Sequence, residues 1–382
     1  MKTKNAMARF FLLLGLCTGM APVQSPAGDV ESYVTASKSQ WFVQLSAGAP
    51  TMINRGFVFS SVVIGTTSNS VLSGRVDSPG HVFGLLDADS AIVNAITFNE
   101  RFDTKTNLDT LYPSGTYSLI IDTASDGTLT NATMSLPDDM YPADAPHVSN
   151  WAAAQAVDSS ADFTVMWDAF TGGTNSDFIS LAVQGHSNKD IFSSPIPGQP
   201  GALDGTATGG VIPAGTLSPG STYTAVVLFA KVTGIDTNTI SGVPGLTAYY
   251  KQTFFLLVTQ ACPDLTGTWT NLVQTCKVKN EVQSCKVKGT LNVQNAGTAA
   301  APTSFVRYYL SDDATFDEGD TLLKQVATGT VKLGKPKKRT LSAKLPVGVN
   351  GSGKYIIAVI DADDTVVECD ETNNTIVFGP IP

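Results

Sequence analysis

The carboxylates of the last third of the chain are the side chains most suggestive of chemistry. Asp312, Asp313, Asp317, Glu318 and Asp320 form one run, and Asp361, Asp363, Asp364, Glu368, Asp370 and Glu371 form another. Calcium takes six to eight oxygens, which clustered Asp beside a flexible Gly can supply. Neither run has the D-x-D-x-D-G spacing with Glu at the twelfth position. Asp also caps turns by accepting hydrogen bonds from nearby backbone amides, and turn capping is the expectation here. A calcium site at Asp312, Asp313, Asp317 and Asp320 is the functional alternative, and no other cofactor is implied. A second charged stretch, Lys332, Lys335, Lys337, Lys338 and Arg339, lies between two expected strands. It either attracts an anionic polysaccharide or cell surface, or serves as solvated gatekeeper lysines on an edge strand. Four more lysines, Lys277, Lys279, Lys286 and Lys288, would make it a real anion-binding patch if the two sets lay together.

Catalysis lacks a constellation. The three histidines, His81, His147 and His186, stand far apart, and none sits in an HExxH motif. No G-x-S-x-G elbow, P-loop or dinucleotide fingerprint is present. With 33 Asp and Glu side chains, a search for paired glycosidase acids decides nothing. A non-enzymatic role is expected.

The elements that must carry these residues are strands. Only 15% of the residues are charged, Gly and Pro are abundant, and long helical stretches of Glu, Lys, Ala and Leu are missing, the composition of an all-β protein. The hairpin is the clearest local signal. "QTCKVK" and "QSCKVK" flank Asn280-Glu281, so a two-residue turn sets Cys276 opposite Cys285. Side chains alternate along strands, so Val278 and Val287 share the cysteine face and the four lysines take the other. Cys276–Cys285 leaves Cys262 to pair with Cys369. An even number of cysteines in an exported chain argues for such disulfides over metal ligation.

Export is expected from the N-terminus. Lys2, Lys4 and Arg9 precede the apolar run Phe10–Leu14, and Ser25-Pro26-Ala27 offers a cleavage site, the pattern of a signal peptide over residues 1–27. The apolar run is too short to span a bilayer, and Leu16 before Cys17 departs from a lipidation motif. The chain is then secreted or held at the cell surface without a transmembrane segment. Its remaining net charge of −12 repels phosphate backbones and argues against nucleic acid as a partner.

Three successive β-sandwich domains are expected. The first, residues 28–141, has strand-like stretches such as Ser61–Ile64 and Thr116–Ile121 between turn residues. Pro137 and Pro142 mark a boundary, because proline cannot donate to a ladder. In the second domain, 142–261, Phe163–Trp167 alternates and ends on Trp, and Leu217-Ser218-Pro219-Gly220-Ser221-Thr222-Tyr223 reads as a Leu-x-Pro-x-x-x-Tyr corner. This region resembles a fibronectin type III module, which implies that Trp167, Leu217 and Tyr223 are core residues and not ligand platforms. "PSGTY" at 113–117 echoes "PGSTY" at 219–223.

The third domain, 262–382, carries Pro263-Asp264-Leu265, an Asn-x-Gly turn at Asn295 and Gly297, and Tyr309-Leu310-Ser311-Asp312. It continues with Gly353-x-Tyr355 and ends on Glu371, Asn373 and Asn374. Together these resemble the CARDB family, the cell-adhesion-related domain found in bacteria. The resemblance implies an immunoglobulin-like sandwich that acts by adhesion or as a scaffold, with Tyr309, Tyr355, Ile357 and Val359 in its core. The partner would be an extracellular protein or polysaccharide. The rival readings are a polysaccharide-degrading enzyme or accessory subunit with its site in residues 28–141, and a mechanical spacer.

Overall fold

A computed structural model describes residues 28–80, 83–88, 94–185 and 190–382. The expected signal peptide, His81 and His186 lie outside the described residues. Alternating apolar stretches fold as strands throughout. The first group is β1 (Val30–Gln44), β2 (Thr51–Gly65), β3 (Val71–Asp77), β4 (Phe83–Ala88), β5 (Ala95–Phe102), β6 (Gly115–Thr123) and β7 (Thr128–Leu136). Then come β8 (Phe163–Met166), β9 (Phe178–Gln184), β10 (Asp190–Ser193), β11 (Leu203–Asp204), β12 (Gly209–Ile212), β13 (Thr222–Asp236) and β14 (Gly245–Val258). The last group is β15 (Leu265–Lys279), β16 (Val282–Asn295), β17 (Phe305–Ser311), β18 (Thr321–Ala327), β19 (Lys337–Lys344), β20 (Tyr355–Ile360) and β21 (Thr375–Phe378). A short helix, α1 (Lys105–Leu111), starts where the Thr104 hydroxyl accepts from the Asn107 amide, an N-cap that satisfies one orphan donor.

The chain divides into two units: residues 1–217 with 222–258, and residues 218–221 with 259–382. The break expected near residue 141 falls inside the first unit, where one sheet runs β10-β9-β13-β14-β1-β2-β5-β4-β3-β6-β7. Its joint is a parallel pairing of β1 with β14, from Tyr33↔Gly245 to Gln44↔Phe255. The proline-containing segment makes no strand, yet β14 holds it. Alternate side chains reach carbonyls from the end of β7 onward: Thr247 Oγ1 donates to Ser135 O at 3.2 Å, Tyr249 Oη to Pro137 O at 2.7 Å, and Lys251 Nζ to Ala143 O at 2.8 Å. Side-chain donors replace the backbone ladder that proline denies.

Two cores of the first unit have distinct compositions. One gathers Phe59, Tyr112, Tyr117 and Leu119 with Tyr249 from β14. Tyr117 Oη donates 2.7 Å to Pro113 O, a tyrosine-corner bond in the "PSGTY" segment, whereas the corner was expected at Tyr223. The other core lies between the β8–β12 pair and β9-β13-β14, and holds Trp167, Leu217 and Tyr223, as the module-like pattern implied.

Candidate functional site

The second unit is two facing sheets, β15-β16-β19 and β18-β17-β20-β21, around one apolar core. Its chemistry follows from strand register. The hairpin turn at Asn280 and Glu281 has positive φ at both residues (48° and 65°), the type I′ geometry that matches strand twist. Cys276 pairs directly with Cys285, and the two are disulfide-bonded, as are Cys262 and Cys369. The second bond clasps the start of the unit to the loop before its last strand.

Once Cys285, Val287, Leu291 and Val293 point into the core, period-two alternation turns their neighbours outward. The two lysine sets then meet on one sheet. Thr275 pairs with Lys286, Lys277 with Ser284 and Lys279 with Val282; across the other ladder Lys286 pairs with Lys344 and Asn292 with Lys338. Side chains directly opposite share a face. Lys277, Lys279, Lys286, Lys288, Lys338 and Lys344 therefore all stand on the outward face.

The candidate stretch Lys332–Arg339 does not act as one patch. Lys332 and Lys335 close an exposed turn, with Lys335 N donating to Lys332 O at 3.1 Å. Lys337 and Arg339 pair with the core-facing Val293 and Leu291, so only Lys338 of the strand residues faces outward. Lys344, which sequence reasoning missed, belongs to the face through its pairing with Lys286.

The same one-residue phase corrects the expected core. Tyr308, fully buried, replaces Tyr309 as the inward tyrosine of β17, between Val306 and Leu310. Ile356, Ala358 and Ile360 line the core on β20, whereas Tyr355 and Val359 are half-buried and Ile357, though buried, is on the other face. A slip of one residue exchanges the faces of a strand.

The acidic runs occupy the β17–β18 and β20–β21 loops, and their oxygens are spent on local turns. Thr315 N donates to Asp313 Oδ1 at 2.7 Å, Gly319 N to Asp317 Oδ1 at 2.7 Å and Asp317 N to Asp320 Oδ2 at 3.2 Å. Asp312 pairs with Lys354. Among the described residues no group of three or more His, Cys, Asp or Glu is arranged to hold a metal ion. In the second run Asp361 accepts from Val366 N at 2.8 Å. Glu368 accepts from Leu265 N and from Asn374, but burial pushes its carboxyl up to about 7 and Glu371 adds repulsion.

The first unit has an open cleft of about 500 Å³ lined by Phe42, Pro50, Asp144, His147, Asp168 and Lys251, among others. His147 Nδ1 lies 2.8 Å from Asp168 Oδ2 and Nε2 lies 3.1 Å from Ala47 O. Both ring nitrogens face acceptors, which favours the imidazolium. Burial opposes that charge but the hydrogen bonds win, and the His147 pKa is raised. Asp144 accepts from Thr171 Oγ1.

Comparison with known proteins classifies the second unit. Residues 262–378 match the CARDB family, about a third of the chain. Nothing among curated proteins matches the sequence. Solved structures that match the chain include the FN1–FN3 domains of chicken CNTN1, at 11% identity and TM-score 0.18 over 78% of this chain and 87% of that one. A tetra-tandem repeat from the extending region of a large adhesion protein gives 12% and 0.19 over 90% and 72%. A DUF4785 family protein from Legionella pneumophila gives 9% and 0.23 over 95% and 99%. The protein is all-β, and its C-terminal third matches the CARDB family. Among the described residues no helix is long and apolar enough to cross a membrane.

Proposed function

We propose that the chain is an exported adhesion or scaffold protein that holds an extracellular partner, protein or polysaccharide, without chemical turnover. One observation carries this reading. The CARDB domain sorts its charges, with lysines on one sheet face and most carboxylates in the loops of the other sheet. A rigid sandwich with a charge-sorted face is built to attract and orient a partner.

Retention of the purified protein on intact bacterial cells, measured by sedimentation at 50 mM and 500 mM NaCl, tests it. The expected result is retention that salt releases, with no reducing ends freed from added polysaccharides. Release of reducing ends would favour the enzyme, and absence of retention at both salt concentrations would favour the spacer.

A further inference from the structure

We propose that the outward face of β15-β16-β19 is a binding site for an extended anionic polysaccharide. This rests on the binding reading above and names its ligand class. Lys286 and Lys344 are direct cross-strand partners, with Cβ atoms about 5 Å apart. Like charges so placed destabilise a sheet, so folding alone gives no reason for them. The ion pairs found among the described residues involve other lysines, so none of the six on this face is neutralised by one.

The anions are elsewhere. Apart from Asp264, which precedes β15, and Glu281 at the hairpin tip, every carboxylate of the domain lies in the β17–β18 or β20–β21 loop. A face shaped only for solubility mixes both signs. From Lys338, at the level of Asn292, to Lys279, at the level of Val282, the strip spans ten residue steps, or about 33 Å at the rise of a strand. That length spans several sugar units.

The neutral residues choose among polyanions. Thr268, Thr290, Asn292, Thr340 and Ser342 place hydroxyls and an amide between the lysines, groups that hydrogen-bond sugar hydroxyls. The strands put no aromatic ring on this face. Trp269 shares a side with Leu291 and its Nε1 donates to Ile376 O. Single-stranded nucleic acid binders stack bases on aromatic platforms, and this face has none. Its cations are lysines, hydrated point charges suited to carboxylates or sulfates spread along a chain, not arginines that fork onto phosphate.

The test uses the full chain with three immobilised probes: alginate as a polyuronate, dextran sulfate and uncharged dextran. Binding is read by interferometry from 20 to 500 mM NaCl. Alginate or dextran sulfate should bind, weakening steeply with salt, while uncharged dextran should not. Preference between the two identifies carboxylate or sulfate as the recognised group. K286Q/K344Q should weaken binding about tenfold at low salt and keep or raise Tm, because it removes a repulsive pair. K332Q/K335Q, two charges lost from the turn, should change binding less than twofold. Equal loss in both double variants, salt-independent binding or equal binding of uncharged dextran overturns the proposal. If neither anionic probe binds while the protein still sediments with cells, this face is the wrong site and the binding reading stands. If both fail, both readings fall.

Discussion

The two units fasten their layers by different means. Among its described residues the first has no cysteine; it relies on a long continuous sheet, a stacked aromatic core and side-chain clamps on irregular segments. The second is about half the length, and its two disulfides tie the ends of the unit and the tip of its longest hairpin. A small sandwich buries less surface per residue and gains more from cross-links. A sheet cross-linked in this way can also carry six unpaired lysines on its outer face.

Reduction should break the comparison most visibly. C262S/C369S opens a loop closed across 107 residues, and loop entropy sets the cost at about 4–5 kcal/mol, against about 2–3 for the short Cys276–Cys285 loop. Calorimetry with and without reductant should move the transition of the second unit and leave that of the first in place. Equal movement of both would show that the units do not melt independently. Phe59→Ala is the converse probe. Phe59 is fully buried, stacked 3.9 Å from Tyr112 and 5.5 Å from Tyr117. Its loss should cost the first unit about 3–5 kcal/mol and leave the disulfide-bonded transition unchanged.

Sequence legibility divides along the same line. In the second unit the Cys-Lys-Val-Lys repeats stated a register outright, because a two-residue turn and period-two alternation leave no freedom. The face carrying Lys277, Lys279, Lys286 and Lys288 followed from that. The third strand of the sheet did not: Lys344 joins the face only through the pairing of β16 with β19, a contact across some fifty residues that no local pattern encodes. Tyr309 was preferred to Tyr308 because two adjacent tyrosines leave the phase open, and the core contacts of β20 decide it. In the first unit Trp167, Leu217 and Tyr223 were legible as core, but the parallel β1–β14 joint was hidden. Parallel neighbours need no turn between them, so nothing in the sequence announces the pairing. The prolines at 137 and 142 told of a missing ladder, not of the side chains of Thr247, Tyr249 and Lys251 that replace it.

A pH titration sharpens the comparison on a smaller scale. Glu368 of the second unit has its carboxyl raised to about 7 by burial, against about 4.3 in an unfolded chain. Between those values the native state holds the proton more tightly, so stability falls as pH rises. The full effect is at most about 3 kcal/mol, reduced because solvent still reaches part of the group. Glu368→Gln should flatten the pH dependence of the second transition between pH 4.5 and 7.5. A variant that retains the wild-type slope would assign the titration elsewhere.

The smallest expected effect lies in the first unit and isolates one side chain. His147 is clamped by Asp168 and by the carbonyl of Ala47, and these partners raise its pKa above the ordinary value near 6.5. The sign follows from the charge. The imidazolium satisfies both acceptors, so its stabilisation is fully present below the unfolded pKa and is lost as pH rises through the higher folded one. Neutral histidine keeps one N–H and turns a lone pair toward the other acceptor, which loosens the 45–50 loop. The group is partly exposed, so an effect of well under 1 kcal/mol is expected. NMR titration of the His147 ring should give a midpoint above 6.5 that Asp168→Asn lowers. A midpoint below 6.5 would mean that desolvation wins over both hydrogen bonds, and that this clamp, unlike the disulfides of the second unit, contributes only at the expense of a buried charge.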